Sequence, residues 1–151
     1  MNVSLADDDM SKFQRENLFE LMAYGAGVAE AITDLGEKSY KQKNGFSQGE
    51  EYELSVVTET VSGISTKTVK KQSGELVPME LEVNKLNFSL PFGGTLSSLT
   101  TEEVISNLGE PAEKSTTEFK YFVPSHMDDY VLIITFEKEK AKSIRWVWWV
   151  I

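Results

Sequence analysis

The chain has 151 residues, 40% of them hydrophobic and 26% charged, which excludes wholesale disorder and leaves enough apolar material for a core without staples. It holds no cysteine and one histidine, His126, so disulfides, iron–sulfur clusters, thiolate zinc sites, cysteine nucleophiles and multi-histidine metal cages are excluded. The formal net charge of −9 is spread about evenly over the two halves; it argues against nucleic acid as a partner and favours a basic protein surface.

The first residues carry Asp7-Asp8-Asp9 where an export signal would place a basic and then an apolar segment. No apolar run approaches the ~20 residues that cross a bilayer. A cytoplasmic protein with no membrane span is expected. A helical region starts near Ser11 and carries Phe13, Leu18, Leu21 and Met22. It is expected to break around Gly25-Ala26-Gly27 and to resume through Val28, Ile32 and Leu35 to Gly36. Lys38 to Gly49 reads as a polar loop. Tyr52, Leu54 and Val56 then alternate with Glu51, Glu53 and Ser55, and Ile64 to Lys70 has the Thr- and Lys-rich character of an edge strand. Val77, Met79, Leu81 and Val83 alternate with Glu80 and Glu82, the cleanest period-two pattern in the chain. Leu86, Phe88 and Leu90 lead through Pro91 and Gly93-Gly94, which lack the Lys-Ser/Thr of a phosphate loop and read as a turn.

Beyond that turn, Thr100 and Glu103 have capping-box spacing, Val104, Ile105 and Leu108 form an apolar stripe, and Gly109 and Pro111 stop the helix. The spacing predicts a helix over 101–108. Three strands are expected after it: around Phe119-Tyr121-Val123, over Tyr130–Phe136, and over Ser143–Ile151. Residues Glu30–Glu37 (EAITDLGE) also match Glu103–Glu110 (EVISNLGE) at an offset of 73, with five of eight positions identical. The expectation is therefore an α+β fold with an antiparallel sheet and helices on one face. It consists of two tandem helix-then-three-strand units, 1–89 with an extra N-terminal helix and 90–151, forming one compact domain.

Side-chain parity divides the strands into faces. Tyr52, Leu54, Val56, Val77, Met79, Leu81 and Val83 are expected in the core with Phe119, Tyr121, Val123, Ile144, Trp146 and Trp148. The open face would then carry Glu51, Glu53, Glu59, Glu80 and Glu82 at one end, and Lys120, Phe122, Arg145, Val147 and Trp149 at the other. Aromatic residues and Arg dominate binding hot spots, and carboxylates steer encounter. Against this stands the possibility that the tryptophans serve only the core or a homodimer interface, and that the carboxylates are an ordinary solvated sheet face.

The one cluster with a catalytic look is His126 with Asp128 and Asp129, in the polar connection after Pro124. One histidine and two carboxylates would suit a metal or a general base, but turn residues of these types are commonly solvated.

Leu90-Pro91-Phe92-Gly93, followed by Leu99-Thr100-Thr101-Glu102-Glu103-Val104 and by Leu108-Gly109-Glu110-Pro111, resembles a recurrent bacterial pattern, a short helix closing in "LG-P" before a small antiparallel sheet. The pattern occurs in outer-membrane lipoproteins of the SmpA/OmlA group, as a tandem repeat in secreted β-lactamase inhibitor proteins, and in immunity proteins against pyocin-like toxins. The resemblance covers about 60 residues of the second half, and the first half chiefly through Glu30–Glu37. It implies a β-lactamase-inhibitor-protein-like fold more than a function, because its Gly, Pro and capping residues are structural. The chain's lack of cysteine and of an export pattern favours the immunity type. The expected function is thus a non-catalytic inhibitor without metal or cofactor that binds a bacterial toxin. Its expected contact residues are Trp149, Phe122, Arg145, Glu80, Glu82, Glu51, Glu53, Asp128 and Asp129. The alternatives are a small metal- or ligand-binding enzyme centred on His126 and an envelope-assembly adaptor of the SmpA/OmlA type.

Overall fold

The computed structural model describes residues 3–32, 37–47, 50–70, 76–123 and 130–148. Helix α1 runs from Val3 to Ile32 without the expected break. Gly25 serves another end. A Cβ placed there would lie 2.4 Å from Nε1 of Trp146, whose indole N–H donates to the Leu21 carbonyl at 3.0 Å. The glycine therefore lets a buried indole lie against the helix backbone, at a helix-propensity cost of about 1 kcal/mol relative to alanine. Leu21, Met22, Ala29 and Ile32 continue the same stripe into the core.

Helix α2, Thr101–Leu108, has the predicted bounds. The Glu103 amide donates to Thr100 Oγ1 at 3.2 Å, capping the first turn. Gly109 adopts φ +87 with ψ −177, a combination open to glycine alone, and its amide donates to the Ile105 carbonyl to end the helix. The side chains of Gln14 and Asn17 on α1 donate to the Ile105 and Asn107 carbonyls. The two helices are thereby joined at the end of α2, where the Ile105 carbonyl accepts from both Gln14 and Gly109.

Eight antiparallel strands follow in chain order: β1 (Glu37–Ser47), β2 (Glu50–Val61), β3 (Ile64–Lys70), β4 (Leu76–Val83), β5 (Glu113–Lys114), β6 (Glu118–Val123), β7 (Tyr130–Glu137) and β8 (Lys140–Val147). They form one sheet in the order β1-β2-β3-β4-β8-β7-β6-β5. The sheet is thus two meanders, each preceded by a helix and joined through their last strands, with Leu81 opposite Trp146 and Val83 opposite Ile144. The class is α+β.

Each meander has four strands where three were expected. Lys38–Gly49, read as a loop, supplies β1, whose eleven residues pair with β2 without a register shift. Its Lys, Ser, Gln and Asn residues have no apolar alternation to announce a strand; backbone pairing defines it. Ile64–Lys70, read as an edge, is the interior strand β3, because β1 and β2 extend the sheet beyond it. Its polar character has other causes: Lys67 lies within 3.9 Å of Glu80, while Thr66 and Thr68 are buried. The short β5 adds the fourth strand of the second meander. The two copies of the matched octet also differ in setting. Glu30–Ile32 forms the last turn of a thirty-residue helix, whereas Glu103–Leu108 is most of an eight-residue one.

The core lies between the helices and one face of the sheet. It combines the α1 stripe with Val104 and Leu108 of α2 and with Leu81, Val83, Phe119, Tyr121, Val123, Leu132, Ile134, Ile144 and Trp146. Phe88, Leu90, Leu96 and Leu99, from the connection before α2, close one end. As expected, Trp148 packs partly buried against this cluster. Parity fails in β2, where register sets Val57 and Glu59 on the face of Leu81: Glu59 is opposite Thr66, and Thr66 opposite Leu81. Glu59 is 2% exposed, so it is not an open-face residue. No helix among the described residues is long and apolar enough to cross a membrane.

Candidate functional site

The face opposite the core is built by alternate residues of the strands that bury the core. One row across it reads Lys67, Glu80, Val147, Val131, Phe122, in hydrogen-bonded register from β3 to β6. The next reads Ser65, Glu82, Arg145, Ile133, Lys120, Glu113. Val131, Ile133 and Val147 are each partly exposed and Phe122 is 43% exposed, while their strand neighbours Leu132, Ile134, Tyr121 and Trp146 are buried. Among the described residues neither helix contributes a side chain to this face; those that pack on the sheet join the opposite cluster.

The apolar strip has a charged border on each side. Arg145 Nε lies 3.1 Å from Glu80 Oε1, and Lys67 Nζ lies 3.9 Å from the other carboxylate oxygen. Register adds Glu82 directly across from Arg145. Arg145 Nε is buried, yet its N–H is aligned on no acceptor among the described residues, so the contact with Glu80 is an ion pair without a hydrogen bond. At the other border Lys120 Nζ sits 3.5 Å from Glu113 and 3.6 Å from Glu118. Such partly exposed pairs contribute at most about 1 kcal/mol each to stability, so fold stability does not account for this arrangement. Side by side they present fixed charges around an apolar strip, the composition of a protein-binding surface.

Of the residues expected to make contact, Phe122, Arg145, Glu80 and Glu82 come together on this face. Glu51 and Glu53 do not join them. They pair with Phe46 and Asn44 of β1 in the part of the hairpin beyond the pairing of β3, which reaches β2 only at Ser55. Their side chains lie outside the described residues, as do His126, Asp128, Asp129 and Trp149 altogether. The expectation missed Val131, Ile133 and Lys67. The signal for the first two was present, since Leu132 and Ile134 had to be core and their neighbours therefore had to face away. Lys67 was hidden by the reading of β3 as an edge. Among the described residues no group of three or more His, Cys, Asp or Glu is placed to hold a metal.

Comparison with known proteins finds no matching protein-family model, curated protein or solved structure.

Proposed function

We propose that the protein is a non-catalytic inhibitor of the immunity type, which neutralises a bacterial toxin by covering it with the open sheet face. The observation that carries this reading is the strip Val147–Val131–Phe122 with Ile133, which no helix covers among the described residues, beside the Arg145–Glu80 pair. A monomer that leaves apolar side chains contiguous on a flat sheet gives up their burial unless something else covers them. Arginine and aromatic residues are the types that concentrate binding energy, and the net charge of −9 adds long-range attraction for a basic partner. Two meanders joined edge to edge make the face broad, as a surface that must occlude another macromolecule needs to be.

The test is titration of the purified protein against a candidate toxin, reading complex stoichiometry and residual toxin activity together. The expected outcome is a one-to-one complex that abolishes the activity without turnover. Phe122→Ser and Arg145→Glu should each weaken it at least about tenfold, as loss of a hot-spot residue does. A complex whose affinity ignores both substitutions would remove this face from the interaction, and a protein that leaves every candidate toxin fully active would end the immunity reading.

A further inference from the structure

The two edges of the sheet are built differently. At one end the edge strand β5 is two residues long and covers only part of β6. At the other end β1 is eleven residues long, contains no proline, and pairs with β2 in unbroken register. Its second side has no strand against it among the described residues. Alternate residues of an antiparallel strand direct their N–H and C=O groups to each side, so about half of the β1 backbone groups point outward. Short length, bulges and prolines are the backbone devices that blunt such an edge, and β1 uses none of them.

We infer that β1 pairs antiparallel with β1 of a second copy, about a two-fold axis at Tyr40. The charges along the strand select this register. An axis at Lys41 or Lys43 sets a lysine against itself, and an axis at Gln42 sets Lys41 against Lys43 twice. Like charges directly opposite destabilise a strand pair. An axis at Ser39 avoids this but pairs only Glu37 to Lys41, and an axis at Asn44 brings no opposite charges together. With the axis at Tyr40, the segment Glu37–Lys43 is paired, Glu37 stands opposite Lys43 of the second copy at both ends, and Lys38 stands opposite Gln42. Tyr40 meets its own counterpart in the middle, an aromatic pair of the kind that stabilises strand pairing. The charges along the edge therefore favour one register over the others, and it closes on itself to produce a dimer instead of a fibre.

The experiment is sedimentation equilibrium of the whole chain over roughly 1 µM to 1 mM, the range of weak association. A monomer–dimer equilibrium is expected. Glu37→Lys and Lys43→Glu should each weaken it about tenfold, since each puts like charges opposite at two places, and the double variant should restore it. Because the chain has no cysteine, Tyr40→Cys introduces a single thiol. A short bis-maleimide should join two Tyr40→Cys chains readily and should leave Phe46→Cys chains unlinked, since their positions lie about 40 Å apart in this register at ~3.4 Å per residue. Where a charge variant fails to fold by circular dichroism, the cross-link decides. A monomer at every concentration overturns the inference. So does a dimer that ignores the charge reversals in folded variants, or one that links through Phe46→Cys in preference to Tyr40→Cys.

Discussion

The two faces of this sheet are made by the same strands, one residue out of step, and they obey different rules. Across the middle of the buried face, Leu81, Trp146, Leu132 and Tyr121 stand in one register row, and each is at most 3% exposed. The neighbouring row on the other face, Glu80, Val147, Val131 and Phe122, mixes charge with apolar surface that no helix covers among the described residues. The contrast reverses towards β2 and β3, where the buried face holds Glu59, Thr66 and Thr68. Thr66 Oγ1 is buried there with no hydrogen-bond partner among the described residues, at a cost of roughly 1–3 kcal/mol. Burial thus explains the residue types at the β4–β8 seam, but not at either of these other places. The binding role proposed above would account for the apolar side chains left in water.

The largest effects should come from the seam, where burial alone rules. Trp146→Ala removes a fully buried indole and its hydrogen bond to Leu21, and is expected to lower unfolding free energy by about 3–5 kcal/mol in urea titration. Gly25→Ala is the sharper probe. Helix propensity alone predicts a gain of about 1 kcal/mol from this substitution. The approach of Trp146 to 2.4 Å from the new Cβ predicts a net loss, and Trp146→Leu in the same chain should reverse its sign. A stabilising Gly25→Ala in the wild-type background would show that the helix and the seam are not packed as described.

A smaller effect comes from Tyr121, whose hydroxyl donates to the Gly109 carbonyl at 2.7 Å. Burial, with the Glu110 carboxylate nearby, pushes its ionisation well above the usual tyrosine range. The unfolded chain then loses its proton near pH 10 while the folded one keeps it. The contribution is complete below about pH 10 and is lost as pH rises through the folded value, at up to about 1.4 kcal/mol per pH unit. Tyr121→Phe should abolish that alkaline slope, and should cost about 1–3 kcal/mol at neutral pH because the buried Gly109 carbonyl loses its donor. Comparing unfolding midpoints of the two proteins at pH 9 and pH 11 isolates the slope from the offset.

What the sequence disclosed followed the strength of local signals. The Thr100–Glu103 cap and the Gly109-Pro111 stop fixed α2 to the residue, because each is a short-range device that works in isolation. The period-two run at Val77–Val83 located β4, and parity in β4, β6 and β8 placed Glu80, Glu82, Arg145 and Phe122 on one face. The failures had long-range causes. Gly25 looks like a helix breaker until Trp146, far along the chain, is seen to need its missing Cβ. Strand β1 is invisible because an edge strand need bury little, so its composition is that of a loop. Parity in β2 was assigned from Tyr52, Leu54 and Val56, the more apolar residues. The pairing of Thr66 with both Glu59 and Leu81 overrides that local pattern.

The smallest expected change is also the most discriminating between the two faces. Val131 and Leu132 are consecutive in β7 and are flanked by the same two strands, β6 and β8, yet only Leu132 is buried. Leu132→Ala should cost about 2–5 kcal/mol, the price of a core cavity. Val131→Thr keeps the β-branched shape and the strand preference, so the fold loses little, less than about 1 kcal/mol by chemical denaturation. In a core position the same exchange buries a hydroxyl and costs more. A loss at Val131 approaching that at Leu132 would mean that the strip is sealed inside the protein, and its apolar character would then need no partner. A fold indifferent to Val131→Thr, in a protein whose complex is weakened by it, would show that selection for binding, and not for stability, keeps these side chains apolar.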